Sequence, residues 1–280
     1  MTRKLIAIVP AAGVGERARV TPSGVPAALE PPRARLLAGA PDALLPKQYG
    51  LLCGEPMLRW AVRALLADKR IEQVRVIATA GDEHAGEAVK GLPRTVVRFC
   101  GGPTRAATVT AALEDAGFDR DDETWVLVHD AARPGLPADA LARLIDVCVE
   151  RGQGGLLAQR VADTVKQGRE AAPAGDSALQ DDAAPRDPAR PAGRRAAADV
   201  GSVAQTLPRQ GLWLAQTPQL FPAAPLLAAL CDANRALADV TDEASAMERA
   251  GHTPLLVPGS ARNFKVTWPD DFQLMEKWLS

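Results

Sequence analysis

Lysine, cysteine and aromatic residues are all scarce in this chain of 280 residues, and each scarcity excludes something. The four cysteines (Cys53, Cys100, Cys148, Cys231) never form a CxxC pair, so neither a zinc knuckle nor a redox couple is written here, and a reducing compartment is expected. No apolar run approaches the roughly 18 residues that would span a bilayer. The N-terminal run Leu5 to Val9 stops at Pro10, too short for a signal-peptide core, so the reading is a cytoplasmic chain with no membrane partner. An excess of either charge is also missing. With 33 basic residues against 34 acidic ones the net charge is −1, so no bulk field draws the chain to nucleic acid, and any polyanion must be met by a local site. Only seven of the basic residues are lysine, a bias that carries no functional weight.

Hydrophobic residues make up 47% and charged residues 24%, enough for a sizeable core. Short β-rich runs at Leu5 to Val9, Val74 to Thr79, Thr95 to Phe99 and Trp125 to Val128 are almost continuously apolar, as strands buried on both faces are. Helical periods lie between them: Met57, Leu58, Ala61, Val62, Leu65 and Leu66 form one stripe, and Ala107, Val109, Ala111, Ala112 and Leu113 another. Helices are also expected over Pro222 to Ala238 and Asp242 to Ala250, then a short strand and a last helix from Pro269. This alternation predicts an α/β fold with a mostly parallel sheet flanked by helices. Two stretches break the rhythm. Residues 20–45 and 168–203 are rich in Pro, Ala and Arg and read as surface insertions within one domain spanning residues 1–280.

Four segments carry the candidate chemistry. Directly after the first strand comes Pro10-Ala11-Ala12-Gly13-Val14-Gly15-Glu16-Arg17, whose small residues let the backbone approach a ligand and whose amides can cradle phosphate. A glycine turn that serves only the backbone is the alternative. A dinucleotide fingerprint is disfavoured because Thr21-Pro22 stands where a helix should run, and no Gly-Lys-Ser/Thr makes it a P-loop. Pro46-Lys47-Gln48-Tyr49 ends the first insertion, and Lys47 with Arg17 would close a cationic jaw over a triphosphate, unless Lys47 is simply a solvated charge. Gly101-Gly102-Pro103-Thr104-Arg105 opens a helix, whose N-terminus favours anionic groups. Val128-His129-Asp130-Ala131-Ala132-Arg133 follows a strand, placing Asp130 at the carboxyl edge as a substrate contact, an Mg²⁺ contact or a turn residue. His129 is read as structural.

Taken in order, these segments, followed by Asp163-Thr164-Val165-Lys166, Gly211-Leu212-Trp213 with Gln216-Thr217-Pro218-Gln219, Thr241-Asp242-Glu243-Ala244-Ser245 and Asn263-Phe264-Lys265-Val266-Thr267, resemble the 2-C-methyl-D-erythritol 4-phosphate cytidylyltransferases. The resemblance runs from Ile6 to Leu279 outside the insertions. It implies a Rossmann-like nucleotidyltransferase fold with a protruding dimerisation arm. The implied reaction is transfer of the cytidylyl group of CTP to the sugar-alcohol phosphate with release of pyrophosphate. Arg17, Lys47, Arg209 and Lys265 would be catalytic. Pro10, Ala11, Ala12, Gly13, Gly15, Gly102, Thr108 and Ala131 would meet the nucleotide, and Asp130, Arg133, Thr164, Thr217 and Thr241 the substrate. Mg²⁺ would be held mostly by the CTP phosphates, with Asp130 its contact on the chain. In a homodimer, Arg209 would enter the neighbouring subunit's site.

Two departures stand out. Pro103 replaces the acidic residue that commonly follows Gly-Gly, and Glu16 stands where a second Arg is common. Two rivals remain: a cytidylyltransferase for another polyol phosphate such as ribitol 5-phosphate, and a non-catalytic nucleotide-binding protein of the same fold. The length leaves no room for a fused second enzyme.

Overall fold

The computed structural model describes residues 3–13, 46–118, 123–169 and 201–280. The insertion read at 20–45 lies outside them, as does most of the one read at 168–203. The described chain divides into two compact units, residues 1–159 with 214–280, and residues 160–213.

The first unit is built on strands β1 (Leu5–Pro10), β4 (Ile71–Ile77), β5 (Thr95–Arg98), β6 (Trp125–Val128), β7 (Gly155–Arg160), β10 (Trp213–Pro222) and β11 (Leu255–Pro258). They form one sheet in the order β11-β7-β10-β6-β1-β4-β5. The pairs β1–β4, β1–β6, β4–β5 and β7–β11 are parallel, and β10 runs antiparallel to β6. β2 (Leu51–Leu52) and β3 (Glu55–Pro56) form a small separate ladder.

Side chains alternate across the sheet as a period of two requires. Leu5, Ala7 and Val9 pack on one face with Leu58, Val62 and Leu65 of α1 (Met57–Leu66) and Leu141, Leu144 and Ile145 of α4 (Ala138–Arg151). Ile6 and Ile8 pack on the other with Val109 and Leu113 of α3 (Arg105–Ala116), Leu226 and Leu230 of α5 (Ala223–Arg235) and Met247 of α6 (Glu243–Arg249). With apolar residues buried on both faces, β1 and β6 need no polar alternation, which is why their sequences read as continuous apolar runs. A short α2 (Ala85–Ala88) and a C-terminal α7 (Pro269–Leu279) complete the unit. No described helix is long and apolar enough to cross a membrane.

Most expected elements are present, and α4, β7 and β10 are among those the sequence reading did not include. On α3 the buried positions are Thr108, Val109, Thr110, Ala112 and Leu113, while Ala107 and Ala111 are only half-buried. β10 was not expected, because Pro218 and Pro222 argue against a strand; it pairs with β6 only from Gln219 to Pro222, at the end of its run. The second unit contains the antiparallel pair β8 (Val165–Gly168) and β9 (Val203–Leu207), with the Arg160 guanidinium 4.4 Å from the Trp213 ring centroid. Gly168, Arg169 and residues 201–203, assigned to the second insertion, belong to this stem, where Arg169 N–H donates to Ser202 O at 2.8 Å.

β1, β4, β5 and β6 all end at the same sheet edge. Because β4 and β5 build outward on one side of β1 while β6 returns to the other, the chain reverses its winding beside β1, where an open α/β sheet leaves a ligand crevice. Gly101, after β5, sits against this edge: a Cβ there would stand 2.4 Å from Ala12 Cβ and 2.8 Å from Ala78 O. Gly101→Ala is expected to lower stability by about 1–3 kcal/mol through overpacking. Gly13→Ala, whose Cβ meets nothing within 4 Å among the described residues, should stay within about 0.5 kcal/mol of wild type. Urea unfolding of both variants checks the contrast.

Candidate active site

The crevice collects the loops that leave the strand ends. After β1, Ala11 N–H continues the ladder to Ile77 O at 2.8 Å, so Ala11 and Ala12 are held as a rigid extension of the strand. Gly13 is exposed, while Gly15 and Arg17 lie outside the described residues. After β5, Gly101 N–H donates to Ala78 O at 2.9 Å, and Thr104 caps α3 by accepting from Ala107 N–H at 3.1 Å. The buried Thr108 hydroxyl accepts from Gly102 N–H at 3.1 Å and lies 2.9 Å from Thr104 O, so it braces the Gly-Gly turn. Lys47 comes from a 3-10 turn (Lys47–Tyr49) and donates to Val266 O at 2.8 Å, next to Lys265.

The densest cluster surrounds Asp130. Arg105 Nε donates to its Oδ1 at 3.0 Å and Lys265 Nζ to its Oδ2 at 2.9 Å, while Arg133 Nε stands 3.7 Å from Oδ2. Arg105 also forms a two-pronged pair with Glu243, at 2.6 and 2.9 Å. Burial by itself would raise the Asp130 carboxyl, but Arg105, Lys265 and Arg133 outweigh it and hold it well below the usual carboxylate range. Glu243 moves the other way: burial raises it, and Arg105 offsets only part of that rise. Burial lowers Arg133 against the pull of Asp130, and among the described residues its Nε has no hydrogen-bond partner. Three cations thus face two carboxylates, leaving one positive charge in excess. The Lys265 side chain is 43% exposed against 10% for Asp130, so it is the cation able to swing toward an incoming anion.

A second chain of hydrogen bonds fixes the loop itself. Asp130 N–H donates to Thr217 Oγ1 at 2.9 Å, and Thr217 Oγ1 lies 3.0 Å from His129 Nδ1. Arg133 O, 3.0 Å from Nε2, can only accept, so the His129 proton sits on Nε2 and the Thr217 hydroxyl donates to Nδ1. Both ring nitrogens are committed, and burial pushes the imidazole down to about 4, so His129 is a neutral structural residue. Arg133 reaches Asn263 O at 2.7 Å, and Asn263 Nδ2 donates to Thr217 O at 2.7 Å, so the segment before Lys265 is locked to the same loop.

Of the residues read from sequence, Pro10, Ala11, Ala12, Lys47, Gly102, Thr108, Asp130, Ala131, Arg133, Thr217 and Lys265 belong to the loops that follow these strands or to segments bonded to them. Thr241 is exposed just before α6. Thr164 and Arg209 belong to the unit of residues 160–213, where both are exposed and Arg209 donates to Ala162 O. Arg105 and Glu243 were missed as site residues, although Gly-Gly-x-x-Arg and Thr-Asp-Glu were both visible as motifs.

The His129 shift has a pH consequence. Its folded value of about 4 lies below the ordinary 6.5, so between these values the unfolded chain holds more protons. Stability should fall as pH drops from about 6.5 toward 4, by up to about 1.4 kcal/mol per unit from this group. The Asp130 contribution, from a lowered carboxyl, is lost only at still lower pH. Urea midpoints measured across this window should flatten in His129→Gln.

Comparison with known proteins identifies the family. The family model described as 2-C-methyl-D-erythritol 4-phosphate cytidylyltransferase matches residues 38–176 and 180–280. A Bordetella petrii protein of that name is 58% identical over 279 residues, covering 100% of both chains. One from Ralstonia nicotianae is 42% identical, covering 99% of this chain and 92% of its own. Among solved structures, a 4-diphosphocytidyl-2C-methyl-D-erythritol synthase is similar with a TM-score of 0.70 and 31% identity over 100% of each chain. The Francisella tularensis 2-C-methyl-D-erythritol 4-phosphate cytidylyltransferase gives 0.68 and 28%, covering 98% of this chain and 99% of that one. On the family model and these relatives together, the chain belongs to the 2-C-methyl-D-erythritol 4-phosphate cytidylyltransferase family.

Proposed function

We infer that the chain transfers the cytidylyl group of CTP to 2-C-methyl-D-erythritol 4-phosphate, giving 4-diphosphocytidyl-2-C-methyl-D-erythritol and pyrophosphate. Identity to its relatives over the full chain names the reaction. The observation that ties it to this molecule is the meeting of Lys47, Lys265 and Asp130 at the carboxyl edge of the sheet.

In this reaction a phosphate oxygen of the polyol phosphate forms a bond to the α-phosphorus of CTP, and the bond to the pyrophosphate oxygen breaks. The nucleophile is already anionic, so no general base is required, in keeping with the committed nitrogens of His129. What remains is to hold two polyanions together and to neutralise charge spreading over the α-phosphate and leaving group. Lys47 and Arg17 suit the triphosphate, and Lys265 with Arg133 the phosphate of the acceptor. Pro10 to Gly13, Gly15, Gly102, Thr108 and Ala131 suit the nucleotide, and Thr164, Thr217 and Thr241 the polyol.

Asp130 supplies hard oxygens of the kind Mg²⁺ takes, but Arg105 occupies Oδ1 and Lys265 Oδ2. No cluster of three metal-ligating side chains occurs among the described residues. An Mg²⁺ would therefore enter on the triphosphate, and Asp130 is the residue among those described that would meet it. When bound, that ion would offset triphosphate charge.

Pyrophosphate release measured with CTP should be fast with 2-C-methyl-D-erythritol 4-phosphate and at least tenfold lower in kcat/KM with ribitol 5-phosphate. Comparable values would move the chain to the other polyol class, and no release with either would leave a nucleotide-binding protein.

The active form in this proposal is a cytoplasmic homodimer in which Arg209 completes the partner's site. Lys47→Ala and Arg209→Ala should each lose on the order of 10² to 10³ in rate. Co-expression of the two variants should then restore about a quarter of the wild-type sites, because one site of each mixed dimer keeps both residues. A mixture as inactive as its parents would place Arg209 in cis.

A further inference from the structure

Three successive side chains tie the 3-10 turn Lys47–Tyr49 to three separate segments. Lys47 Nζ donates to Val266 O at 2.8 Å, and the Tyr49 hydroxyl donates to Asp82 Oδ2 at 2.6 Å. Between them, the buried Gln48 amide donates from Nε2 to Ala11 O at 2.8 Å and to Gly13 O at 3.2 Å. Both of its amide protons are thus spent on the turn after β1. A side chain that only filled the gap would need no donors, and two aimed at alternate carbonyls of one turn set its conformation.

The consequence follows from peptide geometry. In a trans peptide the C=O and N–H point in opposite directions, so holding Ala11 O toward Gln48 turns the Ala12 N–H to the opposite face. Among the described residues nothing accepts from that N–H. The opposite flank is closed by Gly101, where a Cβ would stand 2.4 Å from Ala12 Cβ. The turn is therefore fixed between Gln48 and Gly101, with the Ala12 N–H turned toward the face where an acceptor atom of a ligand would meet it.

We propose that Gln48 is a positioning residue for the nucleotide, holding the Ala11–Gly13 turn so that its amide meets CTP and coupling that contact to the neighbouring Lys47. The proposal rests on the reading of this turn as the nucleotide turn. Gln48 touches no reacting atom in it and acts through the backbone.

The test uses the full-length enzyme. Gln48→Met keeps the length and removes both donors, and Gln48→Glu turns an acceptor toward two carbonyls. Loss of the buried donors should raise the KM for CTP roughly tenfold in Gln48→Met, and further in Gln48→Glu. The KM for the polyol phosphate should stay within about twofold. Calorimetric titration of CTP alone should show the same weakening, independent of turnover. Leu144→Ala, a core truncation on α4, serves as the destabilised control and should leave the CTP affinity unchanged. The proposal is overturned by an unchanged CTP affinity in Gln48→Met, by an equal rise in both KM values, or by a matching loss in Leu144→Ala. A Gln48→Met chain that fails to fold would overturn it too, by assigning Gln48 to the core. If wild type binds CTP and turns over while both Gln48 variants match it, only the positioning role falls; if wild type neither binds nor uses CTP, the nucleotide reading itself falls.

Discussion

A carboxylate buried at the mouth of a crevice is costly, by several kcal/mol if left unpaired, and the site is organised around meeting that cost at Asp130. Arg105, Arg133 and Lys265 surround it, and each comes from a different part of the chain. Arg105 brings a second debt. A guanidinium enclosed there needs more than one oxygen of Asp130, and Glu243 supplies the two-pronged partner from the first turn of α6. Glu243 is in turn fixed by the cap of that helix, where Asp242 Oδ1 accepts from Ser245 N–H at 2.9 Å. One buried charge therefore accounts for the placement of the start of α3, the start of α6 and the segment 263–266. Removing Arg105 would leave two buried carboxylates without their shared cation, a loss of the class that costs about 3–5 kcal/mol.

Polar contacts do comparable work around the 3-10 turn at Lys47. That turn is the first described segment after residues 14–45, and its side chains fasten it to the ends of β1 and β4 and to Val266. Tyr49 and Gln48 are buried, so the turn is part of the core although it carries a lysine, whose ammonium group donates to Val266 O. A cation mounted on such a turn loses little further freedom when an anion arrives, and this is the physical content of preorganisation.

The parts of this arrangement that could be read from the sequence are those with a periodic or spaced signature. β1 and β6 were legible because burial on both faces leaves continuous apolar runs, and α1 because Met57, Leu58, Ala61, Val62 and Leu65 recur at helical spacing. Asp130 was legible as the first acidic residue after such a strand. Arg105 and Glu243 were not, since a charged residue on a helix defaults to solvent and nothing local in the sequence reveals that two of them, 138 positions apart, pair in the interior. The hydroxyl of Thr108 shows a related limit. Its three partners within its own turn, Gly102 N–H, Gly102 O and Thr104 O, follow from the fold of the Gly-Gly turn and have no signature in the sequence. β10 was hidden by its prolines, and its place in the sheet between β7 and β6 discloses it.

The two oxygens of Asp130 are not equivalent, and the difference bears on how an anion is received. Oδ1 faces Arg105, which Glu243 holds from behind, so that pair is fixed on both sides. Oδ2 faces Lys265, whose exposed side chain rests on no second carboxylate among the described residues. With Lys265 read as a phosphate ligand, a swing toward the incoming group leaves Asp130 still paired with Arg105 and within 3.7 Å of Arg133. The buried carboxylate keeps its compensation, and the ammonium exchanges one anion for another, so neither charge passes through an unpaired state. A site with Lys265 as the only partner of Asp130 would have to strand a buried carboxylate each time substrate bound. The second and third cations remove that barrier, and the buried Glu243 is what holds Arg105 in place to do so.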